Sequence, residues 1–331
     1  MMARRVSIVL TTYNGEHFLP AQLASYLAQS RLPDELVVGD DGSGDGTIAL
    51  LEDFARRAPF PVRVTVNESN LGPSANFVES VLRSSGDVIF LSDQDDIWHE
   101  NKIERMMAHL AAHPLCWLVT HDAALVGGDG ATLGLTMGGQ IEGVAGGVAA
   151  RDLVAGCCMA FDARLARLYD PAPRLAQHDA WLAAAAGRLG LRAYLPEALI
   201  DYRRHGGNVS ASFMSDARRA SRWARFRDRA GKAMATPVAV ALTAAAASRE
   251  DLVAAFVRHA DVLTQVVAPE RLAAEIAIQR TALAREKQRL AIHRGPRLAR
   301  PAKLVAALLG GTYSEKGGAM SLLRDLGGLL R

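Results

Sequence analysis

Short runs of β-branched residues alternate with longer amphipathic segments from Val6 to about Leu125. This is the pattern of repeated strand–helix–strand units. Such units place their strands side by side and cover both faces of the sheet, so the sequence predicts an α/β fold with a mainly parallel sheet flanked by helices. The predicted strands are Val6–Leu10, Leu36–Gly39, Val62–Asn67, Val88–Leu91 and Cys116–Thr120, and the predicted helices are His17–Gln29, Asp45–Arg57, Ser74–Ser84 and Asn101–His113.

Acidic residues follow two of these predicted strands. Asp40 and Asp41 come after the second strand, and Asp93, Asp95 and Asp96 come after the fourth. Ligands of open α/β sheets bind beyond the carboxyl ends of the strands, so both clusters are expected to face one ligand. Neighbouring carboxylates repel one another, and Mg²⁺ or Mn²⁺ would remove that conflict while bridging to phosphate oxygens. Alternatively, the second cluster only caps the next helix, because aspartate is favoured at helix starts.

Length and composition narrow the class of protein. The 331 residues allow one large domain or two ordinary ones, and an apolar fraction of 50% supports a sizeable core. A formal net charge of +3 is too small to indicate nucleic-acid binding overall. Cys116, Cys157 and Cys158 lack metal-ligand spacing and are expected to be reduced core residues of a cytoplasmic protein. We expect no signal peptide and no spanning helix.

Two common phosphate-binding motifs are missing. The glycines between Gly39 and Gly46 do not have the dinucleotide-binding spacing, and aspartates stand where bare backbone N–H groups would be needed. The chain also has no G-x-x-x-x-G-K-[ST] loop. A dinucleotide-dependent oxidoreductase is therefore a weak interpretation.

The rest of the chain divides at about Ser210, where the composition shifts to Ala, Arg and Leu. We expect one domain over residues 1–209 and a helical C-terminal region over residues 210–331. Within the first domain, the glycine-rich stretch 127–147 is predicted to be a loop over the site. Gly156–Phe161 is then expected to be structured, followed by a helix over His178–Arg188 and short strands at Leu191–Leu195 and Ala198–Tyr202.

Four segments in order carry a resemblance to a known family. They read VSIVLTTYN from Val6, ELVVGDDGSGDGT from Glu35, NLGPSANF from Asn70 and FLSDQDDIWHENK from Phe90. Together they resemble glycosyltransferase family 2, which has the type A glycosyltransferase fold, and in particular its rhamnosyltransferase-like branch. The similarity covers about residues 5–208.

The resemblance implies roles for the residues of these motifs. Thr11, Tyr13 and Asp41 match positions that hold the base and ribose of a nucleotide-sugar, and Asn76 in the third motif is expected to belong to the same donor site. Asp93 and Asp95 match the D-x-D motif, in which the second aspartate binds the metal that bridges the diphosphate. For Tyr13, an ordinary half-buried aromatic at a strand end remains an equal alternative.

The resemblance also implies a catalytic base and further site residues. Asp179, in QHDAWLA, matches the acid that removes the acceptor proton in inverting members. It could equally be a helix cap, and His178 beside it either orients an acceptor or is solvated. His205, in YRRHGGN, is expected to be a metal ligand or to contact the diphosphate with Arg203 or Arg204. Gly156–Met159 resembles the acceptor side, although a buried strand is at least as good an interpretation.

The C-terminal region suggests two kinds of contact. Between Arg218 and Lys232 there are seven basic residues against the single acid Asp228, interleaved with Trp223 and Phe226. Such a helix either lies on the anionic inner face of the cell membrane or exposes a solvated charged face. Glu270–His293 is predicted to be a long amphipathic helix that packs internally or pairs with a second subunit.

Taken together, the resemblance implies an inverting, metal-dependent transfer of a sugar to a saccharide or lipid-linked acceptor in cell-surface polysaccharide synthesis. L-Rhamnose from dTDP-rhamnose is the expected donor sugar on resemblance alone. Two other classes remain open: another metal-dependent nucleotide-sugar enzyme such as a nucleotidyltransferase, and a non-catalytic nucleotide-sugar-binding protein.

Overall fold

The computed structural model describes residues 4–143, 154–170, 177–205, 237–296, 299–314 and 318–329. These residues divide into two compact units, the first within Met1–Asp170 and Gln177–Ser215 and the second within Pro171–Ala176 and Asp216–Arg331. The predicted boundary between residues 209 and 210 lies outside the described residues and stays a prediction. The basic segment 218–232 lies outside them as well.

The first unit begins with the predicted alternation of strands and helices. Its first four strands are parallel and lie in the order β3-β2-β1-β4. The chain therefore reverses its direction of travel across the sheet at β1, and a crevice opens between the ends of β1 and β4. The elements are β1 (Val6–Thr12), α1 (Leu19–Leu27), β2 (Glu35–Asp40), α2 (Thr47–Arg57), β3 (Val62–Val66), α3 (Pro73–Leu82), β4 (Val88–Ser92) and α4 (Lys102–Ala112).

The remaining strands continue the sheet with mixed direction. They follow β4 in the order β8-β6-β9-β5, and β7 pairs with β6. The β4–β8 and β6–β8 pairs are antiparallel, whereas β6 and β9 run parallel, so the complete sheet is mixed although its first half is parallel as predicted. The elements are β5 (Ile97–Trp98), β6 (Leu118–Gly127), β7 (Thr132–Thr136), α5 (Met137–Gly143), β8 (Met159–Asp162), α6 (His178–Leu189) and β9 (Arg192–Arg204).

Burial of apolar strand residues against the helices stabilises this unit. Strand β2 is buried along its whole length, which is expected of a central parallel strand covered on both faces. Side chains such as Ile8 and Leu10 of β1 pack with Leu23 and Tyr26 of α1 in the main core. Burying one such side chain fully stabilises the fold by roughly 1.5–3 kcal/mol.

The loop predicted over residues 127–147 is not irregular in its described part. Residues 132–136 form β7 in a hairpin with β6, and 137–143 form α5. The glycines that suggested a loop serve the hairpin turn instead: Gly130 has a φ of 82°, and its N–H bonds the carbonyl of Gly127. Residues 144–147 lie outside the described part.

The two short strands predicted at Leu191–Leu195 and Ala198–Tyr202 are one strand, β9. Pro196, between the two predicted strands, lies at an irregularity in the ladder, where His121 pairs with Leu195 and Asp122 pairs with Ala198. A bulge of this kind tolerates the missing N–H of proline without ending the strand.

The second unit is helical, as predicted. Its helices are α7 (Val238–Arg258), α8 (Ala260–Leu263), α9 (Pro269–Arg294), α10 (Arg300–Leu309) and α11 (Gly318–Leu329). The buried carboxylate of Asp325 ties it together by accepting hydrogen bonds from Arg289 at 2.7 and 3.0 Å and from Tyr313 at 2.6 Å. Among the described residues, no helix combines the length and apolar composition needed to cross a bilayer.

Candidate functional site

The candidate site lies at the crevice between the ends of β1 and β4. Pairing of these strands ends at Leu10 and Ser92, and each chain continues past that point with polar residues. Tyr13 follows β1 with 51% of its surface exposed, and the half-buried Thr11 lies within the strand end. The chain then turns sharply at Asn14, whose φ is 47°. The predicted base-binding residues therefore border the crevice that the topology creates.

Two neighbouring aspartates at the end of β2 have different tasks. Asp40 holds its own loop together, because its carboxylate accepts hydrogen bonds from Thr12 Oγ1 at 2.6 Å and from the N–H of Ser43 at 2.8 Å. Asp41 accepts hydrogen bonds from Asn67 Nδ2 at 2.7 Å and from the N–H of Leu71 at 3.2 Å. Asp40 is thus committed to the loop, and Asp41 to a polar cluster with the residues after β3.

Asn76 lies beneath this cluster. It is 1% exposed, donates a hydrogen bond to the carbonyl of Gly39 at 2.9 Å and accepts one from Asn67 at 3.1 Å. Its contacts place Asn67, which the sequence analysis did not single out, between Asn76 and Asp41. Asn76 is therefore buried and linked to Asp41 through Asn67.

A cluster of buried acids follows β4. Ligand atoms of Asp93, Asp96 and Cys157 all lie within 4.8 Å of one another, and Asp96 is 1% exposed. Burial, helped by the negative charges of Asp95 and Asp179, raises the pKa of Asp93 to about 7, and burial likewise raises the pKa of Asp96. One oxygen of Asp96 is buried with no hydrogen-bond partner in the described part of the chain. Such a cluster of buried acids is favourable only when a positive charge or further hydrogen bonds compensate it. The cluster does not cap α4, whose N-cap is Asn101.

A buried lysine lies next to this cluster. Lys102 is fully buried, donates a hydrogen bond to the carbonyl of Cys157 at 2.6 Å and lies 3.7 Å from the centre of the Trp98 ring. Burial lowers the pKa of Lys102 to about 8, against the opposing pull of nearby acidic groups including Asp96 and Asp93. Lys102 belongs to the WHENK part of the fourth motif, but the spacing of the motif alone does not predict that its side chain is buried next to the acidic cluster.

The two predicted metal ligands, Asp95 and His205, lie together. His205 Nε2 is 2.7 Å from a carboxylate oxygen of Asp95, and its ring stacks on Phe18 at a centroid distance of 4.5 Å. Arg203 donates a hydrogen bond to the carbonyl of Asp95 at 3.1 Å. Strand β9 thus brings the end of the YRRH motif to the D-x-D motif, although Gly206, Gly207 and Asn208 lie outside the described residues.

Asp179 lies in the first turn of α6, on the other side of the acidic cluster. Its carboxylate accepts hydrogen bonds from the N–H of Gly156 at 3.1 Å and of Ala180 at 2.6 Å. It is close enough to Asp93 for its charge to contribute to the raised pKa of that residue. The predicted base is therefore tied to the Gly156–Cys158 segment, whose 3₁₀ turn leads into β8.

His178 is buried rather than solvated. Its ring stacks on Phe77 at a centroid distance of 4.2 Å, and neither ring nitrogen has a hydrogen-bond partner among the described residues. Burial lowers the pKa of His178 to about 4 despite the neighbouring charge of Asp179. The imidazole is therefore neutral at physiological pH and fixes the start of α6 by packing.

The arrangement suits a divalent cation with phosphate ligands. The carboxylates of Asp93, Asp95 and Asp96 supply hard oxygen donors, and one buried oxygen of Asp96 has no hydrogen-bond partner among the described residues. The exposed ring of Tyr13 is available for stacking on the same crevice. A nucleotide diphosphate would fit this combination of an aromatic surface and carboxylates when a divalent cation offsets the repulsion between the carboxylates and the phosphates.

The strand order and the position of the site are those of the type A glycosyltransferase fold. TarS of S. aureus, residues 1–349 in complex with UDP-GlcNAc, has the same fold with a TM-score of 0.53 at 14% identity, over 97% of this chain and 89% of that 1–349 chain. Residues 7–157 of the chain match the model described as "Glycosyl transferase family 2".

Relatives by sequence agree with this assignment. An uncharacterised protein of Mycobacterium tuberculosis is 26% identical over 219 residues, 65% of this chain and 63% of that protein, so the matched part spans less than two thirds of its length. The dTDP-rhamnosyl transferase RfbG of Shigella flexneri is 32% identical over 99 residues, 29% of this chain and 34% of RfbG.

Proposed function

We propose that the chain is a metal-dependent, inverting glycosyltransferase that moves a sugar from a nucleotide-diphosphate donor to an acceptor hydroxyl. The observation that carries this proposal is the convergence of Asp93, Asp95 and Asp179 on one crevice, where burial, together with the charges of Asp95 and Asp179, raises the pKa of Asp93 to about 7. An exposed Tyr13 borders the same crevice. A stacking surface next to such an acidic cluster favours a nucleotide diphosphate over a neutral ligand.

The donor site is divided among the ends of three strands, β1, β2 and β4. Tyr13 and Thr11 hold the base and ribose from β1, and Asp41, supported by Asn67 and Asn76, accepts hydrogen bonds from the base. Asp95 and Asp93 would hold the cation, and His205, which lies beside Asp95, would be a further ligand. When bound, Mg²⁺ or Mn²⁺ would neutralise the diphosphate that leaves as the sugar–phosphate bond breaks.

The acceptor reaction uses Asp179. Its carboxylate takes the proton of the acceptor hydroxyl while the hydroxyl oxygen forms a bond to the anomeric carbon and the nucleoside diphosphate departs from the opposite face. The hydrogen bonds from Gly156 and Ala180 fix the orientation of that carboxylate. Attack from the face opposite the leaving group gives inversion of configuration.

We propose L-rhamnose from dTDP-rhamnose as the donor sugar, and a saccharide or lipid-linked saccharide of cell-surface polysaccharide as the acceptor. Support comes from the similarity to RfbG, whose name specifies dTDP-rhamnosyl transfer. We also propose that the enzyme works in the cytoplasm at the inner face of the membrane, that segment 218–232 contacts lipid, and that α9 is available to pair two subunits.

A donor screen with a paired variant tests the function. Thermal-shift measurements with dTDP-rhamnose and other nucleotide-sugars, with and without Mn²⁺, should show a Mn²⁺-dependent rise in melting temperature for the true donor, because ligands of the native state stabilise it. Asp95→Ala should abolish that metal-dependent rise. Asp179→Asn should still bind the donor but transfer no sugar, and full transfer by this variant would exclude Asp179 as the base.

A further inference from the structure

Gln94 lies between the two aspartates of the D-x-D motif, and its side chain reaches back to β1. Its carboxamide makes a two-point contact with one residue: Oε1 accepts a hydrogen bond from the N–H of Tyr13 at 2.9 Å, and Nε2 donates one to the carbonyl of Tyr13 at 3.1 Å. The two residues are 81 positions apart in sequence. One amide side chain therefore joins the residue that carries the exposed ring to the loop that carries the acids.

The Gln94 side chain pairs with the backbone of Tyr13 beyond the point where the β1–β4 hydrogen-bond ladder ends. Backbone pairing of the two strands ends at Leu10 and Ser92, where the crevice opens. Beyond that point the Gln94 amide presents to Tyr13 the same donor and acceptor that a peptide group of a neighbouring strand would present. Tyr13 is thus held at a fixed distance from Asp93 and Asp95 although the strands themselves have separated.

Two further features keep this contact in place. Asn14, directly after Tyr13, donates its N–H to Ser43 Oγ at 2.9 Å and accepts the N–H of Gly44 at 2.8 Å, which holds the other side of the turn. At Gly15, a Cβ atom would lie 2.3 Å from Gln94 Oε1, so glycine leaves the space that the carboxamide occupies. The turn after β1 is built around the Gln94 side chain.

From this geometry we propose that Gln94 is a positioning residue that sets the distance between the base-stacking ring of Tyr13 and the diphosphate-binding pair Asp93 and Asp95. The inference rests on the proposed function and deepens it. Gln94 makes no contact with reacting atoms in this role. Gln94 keeps the two subsites in a fixed relative position before the ligand binds. Less conformational entropy is then lost when the base and the diphosphate bind together.

The test compares two probes by titration calorimetry, dTDP with Mn²⁺ and inorganic pyrophosphate with Mn²⁺. Gln94→Met keeps the length of the side chain and removes both hydrogen bonds. It should weaken dTDP binding about tenfold, the worth of one base-stacking contact, and leave pyrophosphate binding nearly unchanged. Tyr13→Ala should show the same selective loss, and the double variant should lose little more, because the two changes remove one shared contribution.

Matched controls separate positioning from general support. Gln288→Met also removes a hydrogen bond, with Thr312 at 2.7 Å, but lies on α9 and should leave both affinities unchanged. If Gln94→Met does not fold by circular dichroism, Gln94→Glu, which keeps the acceptor and loses the donor, is measured in its place.

Each result decides the proposal. Equal loss for dTDP and pyrophosphate would show that Gln94 only supports the acidic loop, and unchanged dTDP binding would show that it positions nothing; both overturn the inference while leaving the proposed function intact. A wild-type protein that binds neither dTDP nor UDP with Mn²⁺ would overturn the proposed function, and this inference with it.

Discussion

At the scale of single residues, the site depends on charges that the fold buries together. Lys102 lies beneath the acidic cluster, fully buried and bonded to the carbonyl of Cys157. Removing one partner from a buried charge cluster leaves the others without compensation, which is far more costly than losing an exposed ion pair.

We therefore predict that Lys102→Met lowers the free energy of unfolding by roughly 3 kcal/mol. The matched control is Lys287→Met on α9, because Lys287 pairs with Glu250 at 2.5 Å with 56% of its side chain exposed. That change should cost less than about 1 kcal/mol. Urea unfolding of the two variants measures both values, and equal losses would contradict the view that Lys102 compensates the buried acids.

His178 gives a prediction about pH. Its pKa falls from the ordinary 6.5 to about 4 in the folded protein because of burial, so the unfolded chain takes up a proton at a higher pH than the native state does. The contribution of His178 to stability should thus be lost as pH falls from about 6.5 to about 4 and should not change further below that range. His178→Phe, which keeps the ring on Phe77, should flatten this slope in urea unfolding measured at several pH values; an unchanged slope would assign it to other groups.

At the scale of elements, close packing of α3 against β2 fixes the Asp41 side of the site. A Cβ at Gly39 would lie 2.2 Å from Asn76 Oδ1 and 2.2 Å from Ser80 Oγ, both side chains of α3. The end of β2 and the amide that supports Asn67 therefore share a space that only glycine leaves open.

Gly39→Ala should destabilise the protein by roughly 1–3 kcal/mol and weaken donor binding, because overpacking would displace Asn76 and with it Asn67. Gly44→Ala is the control, since a Cβ there would meet no atom within 4 Å. Thermal unfolding and titration with a nucleoside diphosphate measure the two effects. Similar behaviour of both variants would show that α3 and β2 are not tightly coupled.

Hydrophobic periodicity predicted the helices and strands with a regular pattern, and it missed β7 and the continuity of β9. The first four strands and helices follow simple hydrophobic patterns, so they were predicted within a few residues of their observed bounds. The hairpin of β7 was missed because glycines such as Gly130 turn a hairpin as readily as they loosen a loop. Strand β9 was predicted as two strands, and local sequence does not reveal that it continues through the bulge at Pro196.

The sequence pointed to the acids at the strand ends and not to the residues that hold them. Parallel strands present their carboxyl ends at one edge of a sheet, which is why Asp41 and Asp93 were singled out from position alone. Gln94, Asn67 and Lys102 act through hydrogen bonds to residues that are distant in sequence, and no spacing rule specifies those partners. Asp179 was indicated by resemblance, and its role as the base stays a prediction.

At the scale of the whole molecule, every described site residue belongs to the first unit, between Thr11 and His205. The second unit has its own buried centre around Asp325, where Arg289, His293 and Tyr313 meet. Each unit thus contains interactions sufficient to order its own interior.

A chain ending at residue 215 should therefore fold and bind a nucleoside diphosphate with an affinity close to that of the full chain. Circular dichroism tests folding, and calorimetry with dTDP and Mn²⁺ tests binding in both proteins. Loss of binding in a folded, truncated chain would show that the helical unit takes part in the donor site.

The crevice also draws on two separate stretches of chain. Tyr13, Asp41 and Asp93 come from the first four strands, whereas Asp179 and His205 arrive on α6 and at the end of β9. Under the proposed function, substitutions on α6 near Asp179 should change acceptor use before they change nucleotide binding, whereas substitutions near His205, which contacts Asp95, should affect both.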